Sequence, residues 1–402
     1  MIRNRNIVCI ASSWYAHPTS KHHVMRILSQ YNHVVWVNYH ASRRPTFSRN
    51  DALAICQRLR RSCAGPRRVD GGINVLSPLV IPLPESAAAR WLNVGILARQ
   101  IRRALQRLPQ RPTQLWLFAP DVPGLIPRLD AERVVYYCVD DFAAFSGYNA
   151  RLTETLEART IAASDVVITT SQELFDTRRR LHANTHLVPH GVDFEHFAAA
   201  ADWPADRIPA DIARLPRPIF GYCGLISDYV DLELIAAAAR RRPDWSFVLI
   251  GDATCPLEGL ARLPNVHVLG GRPYEALPAY CSCFDVGLIP FHMNRLVRAV
   301  NPIKLREYLA AGLPVVSAPM AAVMNYVPAV FPAQTLDEFL AAGSAALQVC
   351  RPAERTARQD LMRRESWRCR VEDLSRIVMG IGVGQGAAAR PHTPIREPAT
   401  TR

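Results

Sequence analysis

The sequence predicts an α/β protein built from two parallel-sheet domains that face each other across a cleft. Three observations predict it. Short apolar, β-branched segments alternate with helical patterns along most of the 402 residues, the rhythm of strand–helix–strand units in a doubly wound sheet. The rhythm breaks in an Ala-, Asp- and Pro-rich stretch, residues 197–217, and then restarts. At 49% hydrophobic and 21% charged residues, the chain carries enough apolar content for two cores.

In the first half, strands are expected near Ile7–Ala11, Val34–Asn38, Leu115–Phe118, Val134–Tyr137, Val166–Thr169 and His186–Pro189. Helices are expected near Ser20–Gln30, Arg90–Leu108, Arg151–Ala163 and Gln172–Leu181. An Arg-rich insert at 42–72 interrupts the pattern and reads partly as loop. In the second half, strands fall near Ile219–Cys223, Ser246–Ile250, Val266–Leu269, Val286–Ile289 and Pro314–Ser317. Helices fall near Leu232–Arg241, Tyr274–Cys283, Pro302–Ala311 and Leu336–Cys350. This gives an N-terminal Rossmann-like domain (1–196), a linker (197–217), a C-terminal Rossmann-like domain (218–352), a helical segment (353–379) and a disordered tail (380–402).

Composition narrows the function classes. No run of 18 apolar residues exists, so no membrane-spanning helix is expected. The N-terminus passes from Met1-Ile2-Arg3 directly into a strand pattern, without a signal-peptide cleavage region. Ten cysteines are scattered without zinc or redox spacing, which predicts reduced thiols, a cytoplasmic setting and no metal site. Net charge is +13, yet residues 1–110 alone hold 17 Lys and Arg against three acids. One face of the first domain is therefore expected to meet an anionic surface.

The most informative stretch is Asn301-Pro302-Ile303-Lys304-Leu305-Arg306-Glu307, which runs on to Gly312. It reads as a helix with Asn301 at the N-cap, Pro302 at the first helical position and Gly312 as the stop. A helix N-terminus attracts phosphate, and Lys304 adds a full charge to the first turn. Only Lys21 and Lys304 among the 48 basic residues are lysine, which suggests a local need for a compact ammonium. Glu307 shares that face and could accept bonds from a ribose diol. The alternative is a helix packed on a sheet with Lys304 in solvent.

Loops after strands offer further candidates, because ligands of open α/β sheets bind at strand carboxyl ends. Asp140 and Asp141 follow the strand Val134–Cys138 beside Phe142, and suit an acid/base or sugar-binding role; a cap or turn is the alternative. His17 and Lys21, in the loop after the first strand, could contact an anion or a sugar, or lie solvated. Gly224 ends the first strand of the second half and would let backbone N–H groups approach a phosphate. Arg272, in Gly270-Gly271-Arg272-Pro273-Tyr274, could flank a base.

These pieces occur in a specific order. A glycine turn follows the first strand of the second half. Then come Leu249-Ile250-Gly251, Asn265 through Gly270, Phe284-Asp285-Val286-Gly287-Leu288-Ile289-Pro290-Phe291 and the Asn301–Val316 stretch. Upstream stand Ser164 through Ser171 and Val188-Pro189-His190-Gly191-Val192-Asp193. The ensemble resembles GT-B glycosyltransferases, close to glycosyltransferase family 4 and to bacterial exopolysaccharide and teichuronic-acid transferases. The resemblance runs clearly over about 130–317 and loosely over the first hundred residues. It implies a GT-B architecture of two Rossmann-like domains facing a cleft, with Lys304 on the donor diphosphate, Glu307 on the ribose and Gly224 lining the phosphate turn. It places Asp140 or Asp141 near the acceptor hydroxyl, as a general base if the reaction inverts and as a positioning group if it retains. Family 4 implies retention, and GT-B enzymes in general need no metal or other cofactor. One position departs from the family: its second glutamate, eight residues before Glu307, is here Ala299.

The function expected is hexosyl transfer from a nucleotide sugar to a lipid-linked or polysaccharide acceptor in cell-envelope biosynthesis. The expected place is the cytoplasm, with peripheral attachment to the inner face of the plasma membrane. Alternatives are a non-catalytic nucleotide-sugar binder and a basic nucleic-acid-binding protein; the latter finds no recognisable motif, so nucleic acid is not expected as a partner. For membrane contact, Arg90–Leu108 places Leu97, Ile101, Leu105 and Leu108 on one helix face and Arg99, Arg102, Arg103 and Arg107 around the rest. The alternative is that the stripe packs on the domain's own sheet.

Overall fold

The computed structural model describes residues 1–39, 67–199, 203 and 207–380. The Arg-rich insert as far as residue 66 and the tail from 381 lie outside the described residues. Val-, Ile- and aromatic-rich runs form two sheets buried on both faces, as parallel strands flanked by helices require.

The first domain orders its strands β3-β4-β2-β1-β5-β6-β7-β8. These are β1 Asn6–Ala11, β2 His33–Asn38, β3 Arg67–Arg68, β4 Asn74–Leu76, β5 Thr113–Leu117, β6 Arg133–Cys138, β7 Val166–Thr169 and β8 Thr185–Leu187. All pairs are parallel except β3 with β4. Its helices are α1 Ser20–Ser29, α2 Ala87–Leu105, α3 Ala150–Ala162 and α4 Gln172–Arg178, followed by α5 Phe194–Ala198. One sheet face carries a core of Val24, Leu28, Trp36 and Trp116. The other carries Leu97, Ile101, Leu115 and Tyr136.

That second core corrects the interfacial reading of α2. Leu97, Ile101 and Ala104 are buried against Val8, Ile10 and Leu117 of the sheet, so the apolar stripe serves the domain's interior. Arg99, Arg102, Arg103 and Arg107 are exposed, and Arg102 donates to the Arg128 carbonyl at 2.7 Å. Burying a leucine stripe on a sheet removes more apolar surface from water than leaving it for a headgroup layer.

The second domain is entirely parallel, ordered β11-β10-β9-β12-β13-β14. Its strands are β9 Ile219–Cys223, β10 Ser246–Ile250, β11 Val266–Gly270, β12 Val286–Ile289, β13 Val315–Ser317 and β14 Val330–Pro332. Helices α6 Leu232–Arg241, α7 Glu258–Ala261, α8 Leu277–Cys281, α9 Arg295–Ala299, α10 Ile303–Ala310, α11 Ala321–Met324 and α12 Leu336–Gln348 connect them. The order reverses at β9, which lies between β10 and β12. A crevice for ligands opens at such a switch point.

The chain then splits where one helical segment was expected. Helix α13, Pro352–Arg363, stays with the second domain, while α14, Trp367–Val378, returns to the first. Trp367, Val371, Leu374 and Val378 complete the first domain's core. The stretch read as a linker is also partly structural: Phe197 and Ile212 are each 1% exposed and belong to the second domain's core. Their large apolar side chains outweigh the polar composition around them.

Candidate functional site

Helix α10 points its N-terminus into the crevice because its other end is fixed. Tyr308 receives the Cys223 N–H at 2.7 Å, tying the helix to the end of β9. Arg306, 1% exposed, reaches Glu365 at 2.9 Å and the Tyr326 hydroxyl at 2.8 Å. Asn301 is not the N-cap. That position falls to Pro302, and the Asn301 amide donates to the Thr170 carbonyl of the first domain at 2.7 Å while accepting from Arg306. Its polar atoms are thereby used in joining the domains rather than in holding a donor.

Lys304 lies directly over the glycine turn after β9. A Cβ on Gly224 would sit 2.6 Å from Lys304 Cε and 2.7 Å from its Nζ, so a side chain there would displace the ammonium. Gly224 has φ +149°, and Gly251, at the end of β10, has φ +152° with room for no Cβ against the Gly224 carbonyl. The ammonium is 5.4 Å from the Tyr222 ring centre and 5.7 Å from that of Phe291. Burial lowers the Lys304 pKa, opposed by the Glu307 charge. Burial raises Glu307 to about 7, with Lys304 opposing and Asp193 adding to the rise. A partly buried ammonium and carboxylate thus share one turn of helix beside open backbone.

Across the crevice the first domain contributes two sets of groups. His17 comes near enough to Lys304 for that charge, after burial, to lower its pKa. Its ring lies 5.7 Å from Tyr274, which His23 approaches at 5.6 Å and His196 stacks on at 4.8 Å. Among the described residues the buried Tyr274 hydroxyl has no hydrogen-bond partner, and it lies within the field of Glu307. Lys21 instead faces Asp140. Burial raises Asp140 to about 7, Lys21 opposing and Asp141 adding. From the second domain, Tyr229 lies within the field of Asp140.

The aspartate pair is therefore divided. Asp141 is buried, with Oδ1 taken by Arg178 at 3.3 Å and Oδ2 by Arg295 at 2.8 Å. Arg178 also pairs with Glu157 at 3.0 Å. Each Asp141 oxygen is engaged in an ion pair, which weighs against its reading as a catalytic carboxylate and favours Asp140 of the two. Arg272 is likewise committed: Asp211 takes its guanidinium at 2.7 Å and Tyr280 accepts from it at 2.8 Å. Ala299 is 2% exposed, and its carbonyl accepts from Ser171 of the first domain at 2.6 Å. Tyr274, Tyr229, His23, His196 and Arg295 escaped sequence reasoning as site residues. Of these, Tyr274 and His23 lie in stretches that the sequence marks, the first in Gly270–Tyr274 and the second at the end of the loop after the first strand.

Comparison with known proteins agrees with this layout. Residues 217–348 match the family model described as "Glycosyl transferases group 1". TuaH of Bacillus subtilis (strain 168), named as a teichuronic acid biosynthesis glycosyltransferase, is 29% identical over 280 residues, 63% of this chain and 69% of TuaH. The sucrose-phosphate synthase of Thermosynechococcus elongatus superposes with a TM-score of 0.67 at 14% identity, covering 94% of this chain and 99% of its own. The chain has the GT-B fold, and its residues 217–348 are similar to the group 1 glycosyl transferases. Anabaena HepE, solved in complex with UDP and glucose, shares the fold at a TM-score of 0.61 and 16% identity, covering 93% of this chain and 99% of its own. The trehalose-phosphate synthase of Burkholderia xenovorans does so at 0.66 and 14%, covering 93% and 100%. The matched region holds β9 through α12, hence Gly224, Lys304 and Glu307.

Proposed function

We propose that the crevice transfers a hexosyl group from a nucleoside-diphosphate sugar to a lipid-linked or polysaccharide acceptor of the cell envelope. The observation that carries this reading is the convergence of the Lys304 ammonium, the α10 N-terminus and the Gly224 turn at the switch point of the second sheet. Such a site offers N–H groups and one cation to a diphosphate. As the glycosidic bond breaks, negative charge grows on the leaving diphosphate, and fixed donors there stabilise it. Glu307 accepts from the ribose hydroxyls, and the unpartnered Tyr274 hydroxyl beside it donates to the nucleoside.

On the other wall, Asp140 orients the acceptor hydroxyl and takes up developing positive charge, with Lys21 holding it toward the ionised form. Transfer proceeds with retention and without a metal, as the family resemblance implies, so EDTA leaves turnover unchanged. The acceptor class rests on the name of TuaH. A non-catalytic nucleotide-sugar binder is the second reading, favoured by Ala299 where the family has a glutamate. Thermal unfolding with saturating UDP-, GDP- and TDP-sugars tests the donor claim, because a ligand bound only to the native state raises Tm. One sugar nucleotide should raise Tm by several degrees. No shift with any of them contradicts the proposal, and binding without turnover favours the second reading.

A further inference from the structure

Among the described residues nine large apolar side chains are exposed, and four of them lie between 79 and 92: Leu79 at 48%, Leu83 at 55%, Trp91 at 65% and Leu92 at 45%. They belong to one rigid corner. Asn93 clamps Ile81 through both backbone groups, at 2.7 Å and 2.9 Å. Arg90 donates to the Pro84 carbonyl at 2.6 Å, and Ser86 caps α2 by accepting from Ala89. Three prolines, Pro78, Pro82 and Pro84, restrict the segment further. The leucines and the tryptophan are thus held out from the surface by fixed backbone, and folding gains nothing from their exposure.

The surroundings say what covers them. Arg128 lies 6.0 Å from the Trp91 ring, and Arg102 bonds the Arg128 carbonyl. Arg99 and Arg103 follow on α2 and Arg107 in the turn after it, all exposed and without a carboxylate partner among the described residues. The helix rises about 1.5 Å per residue, so the span from Trp91 to Arg103 is about 18 Å. Glu85 is the acid of the corner, and it accepts from Asn149 at 3.3 Å. An apolar tip with a tryptophan, flanked by unpaired arginines, matches the boundary between acyl chains and anionic headgroups.

We propose that this corner, and not the leucine stripe of α2, is where the protein docks on an anionic lipid bilayer. The reading rests on the proposed transfer to a lipid-linked acceptor, and its position suits that role. The loop that begins at Asp140 ends at Asn149, which touches Glu85 of the corner. Docking there would hold the acceptor side of the crevice against the headgroups.

Co-sedimentation of the full chain with vesicles tests the proposal. Phosphatidylglycerol-rich vesicles should pellet the protein at low salt, whereas phosphatidylcholine vesicles should not. Leu83→Ser, Trp91→Ser and Leu92→Ser combined should reduce partitioning at least about tenfold, the scale of losing several inserted side chains. Gln at positions 99, 103 and 107 should reduce binding and its salt dependence together. Brominated acyl chains should quench tryptophan fluorescence of the wild type, and Trp91→Phe should abolish that quenching. Equal binding to neutral vesicles, no binding to either, or a triple variant that still pellets overturns the proposal. So does a wild-type dimer in light scattering that the triple variant dissolves, since the corner would then join two copies. UDP affinity is measured on the same preparations: retained affinity with failed docking leaves the transferase reading standing.

Discussion

Asp140 and Asp141 are neighbours in sequence with different work to do. Asp140 is raised to about 7 by burial, so it binds its proton more tightly in the folded than in the unfolded chain. Its contribution to stability is therefore present at acid pH and is lost as pH rises through about 7. Asp140→Asn removes the cost of the buried charge, and differential scanning calorimetry should show a larger gain in Tm at pH 8 than at pH 5. The same variant should lower kcat by about 10²-fold with donor KM little changed, the scale expected when a group that stabilises transition-state charge is lost. Tyr274→Phe makes the complementary test. The unpartnered hydroxyl is expected to find its partner on the nucleoside. Its removal should weaken nucleotide binding by about 0.5–1.5 kcal/mol, read by calorimetric titration, without destabilising the apoprotein. The doublet at 140–141 was legible in sequence as a strand-end feature. The division of labour was not, because it depends on Arg178 and Arg295, 37 and 154 residues away along the chain.

Helix α10 shows the same limit at the scale of an element. Its existence and type were readable from Pro302 at its start and Gly312 at its end. Its N-cap was assigned one residue early, since Asn301 looks like a cap until Thr170 of the other domain takes its amide. Strands β3, β4 and β14 have two or three residues each, too few to show a period of two. The longer strands, buried on both faces, read as continuous apolar runs. What holds α10 at its angle is the buried group of Arg306, Glu365, Tyr326 and Asn301. Glu365→Ala leaves the Arg306 cation buried with its carboxylate gone, and should cost about 3–5 kcal/mol in urea unfolding. Arg306→Met together with Glu365→Leu should recover much of that loss, because the desolvation cost goes with the charges.

At the scale of the whole molecule, the two domains meet through contacts that belong to the site itself. Arg295 on α9 bridges to Asp141 and, at 2.8 Å, to Glu154. Ser171 reaches Ala299, and Asn301 reaches Thr170. Arg295→Ala should loosen the crevice and raise the radius of gyration seen by small-angle X-ray scattering, with a modest fall in Tm, because the buried Asp141 loses one of its two cations and keeps Arg178. The two-domain plan was legible because each half repeats the strand–helix rhythm. The return of α14 to the first domain was not, since an amphipathic helix does not announce which sheet it will cover. The central claim is that Lys304 holds the donor diphosphate, and calorimetric titration of the nucleoside diphosphate into wild type and Lys304→Ala tests it most directly. The variant should keep its fold and lose about 1.5–3 kcal/mol of binding free energy, the scale of a hydrogen bond to a charged group. Equal affinity in the two proteins would contradict the account.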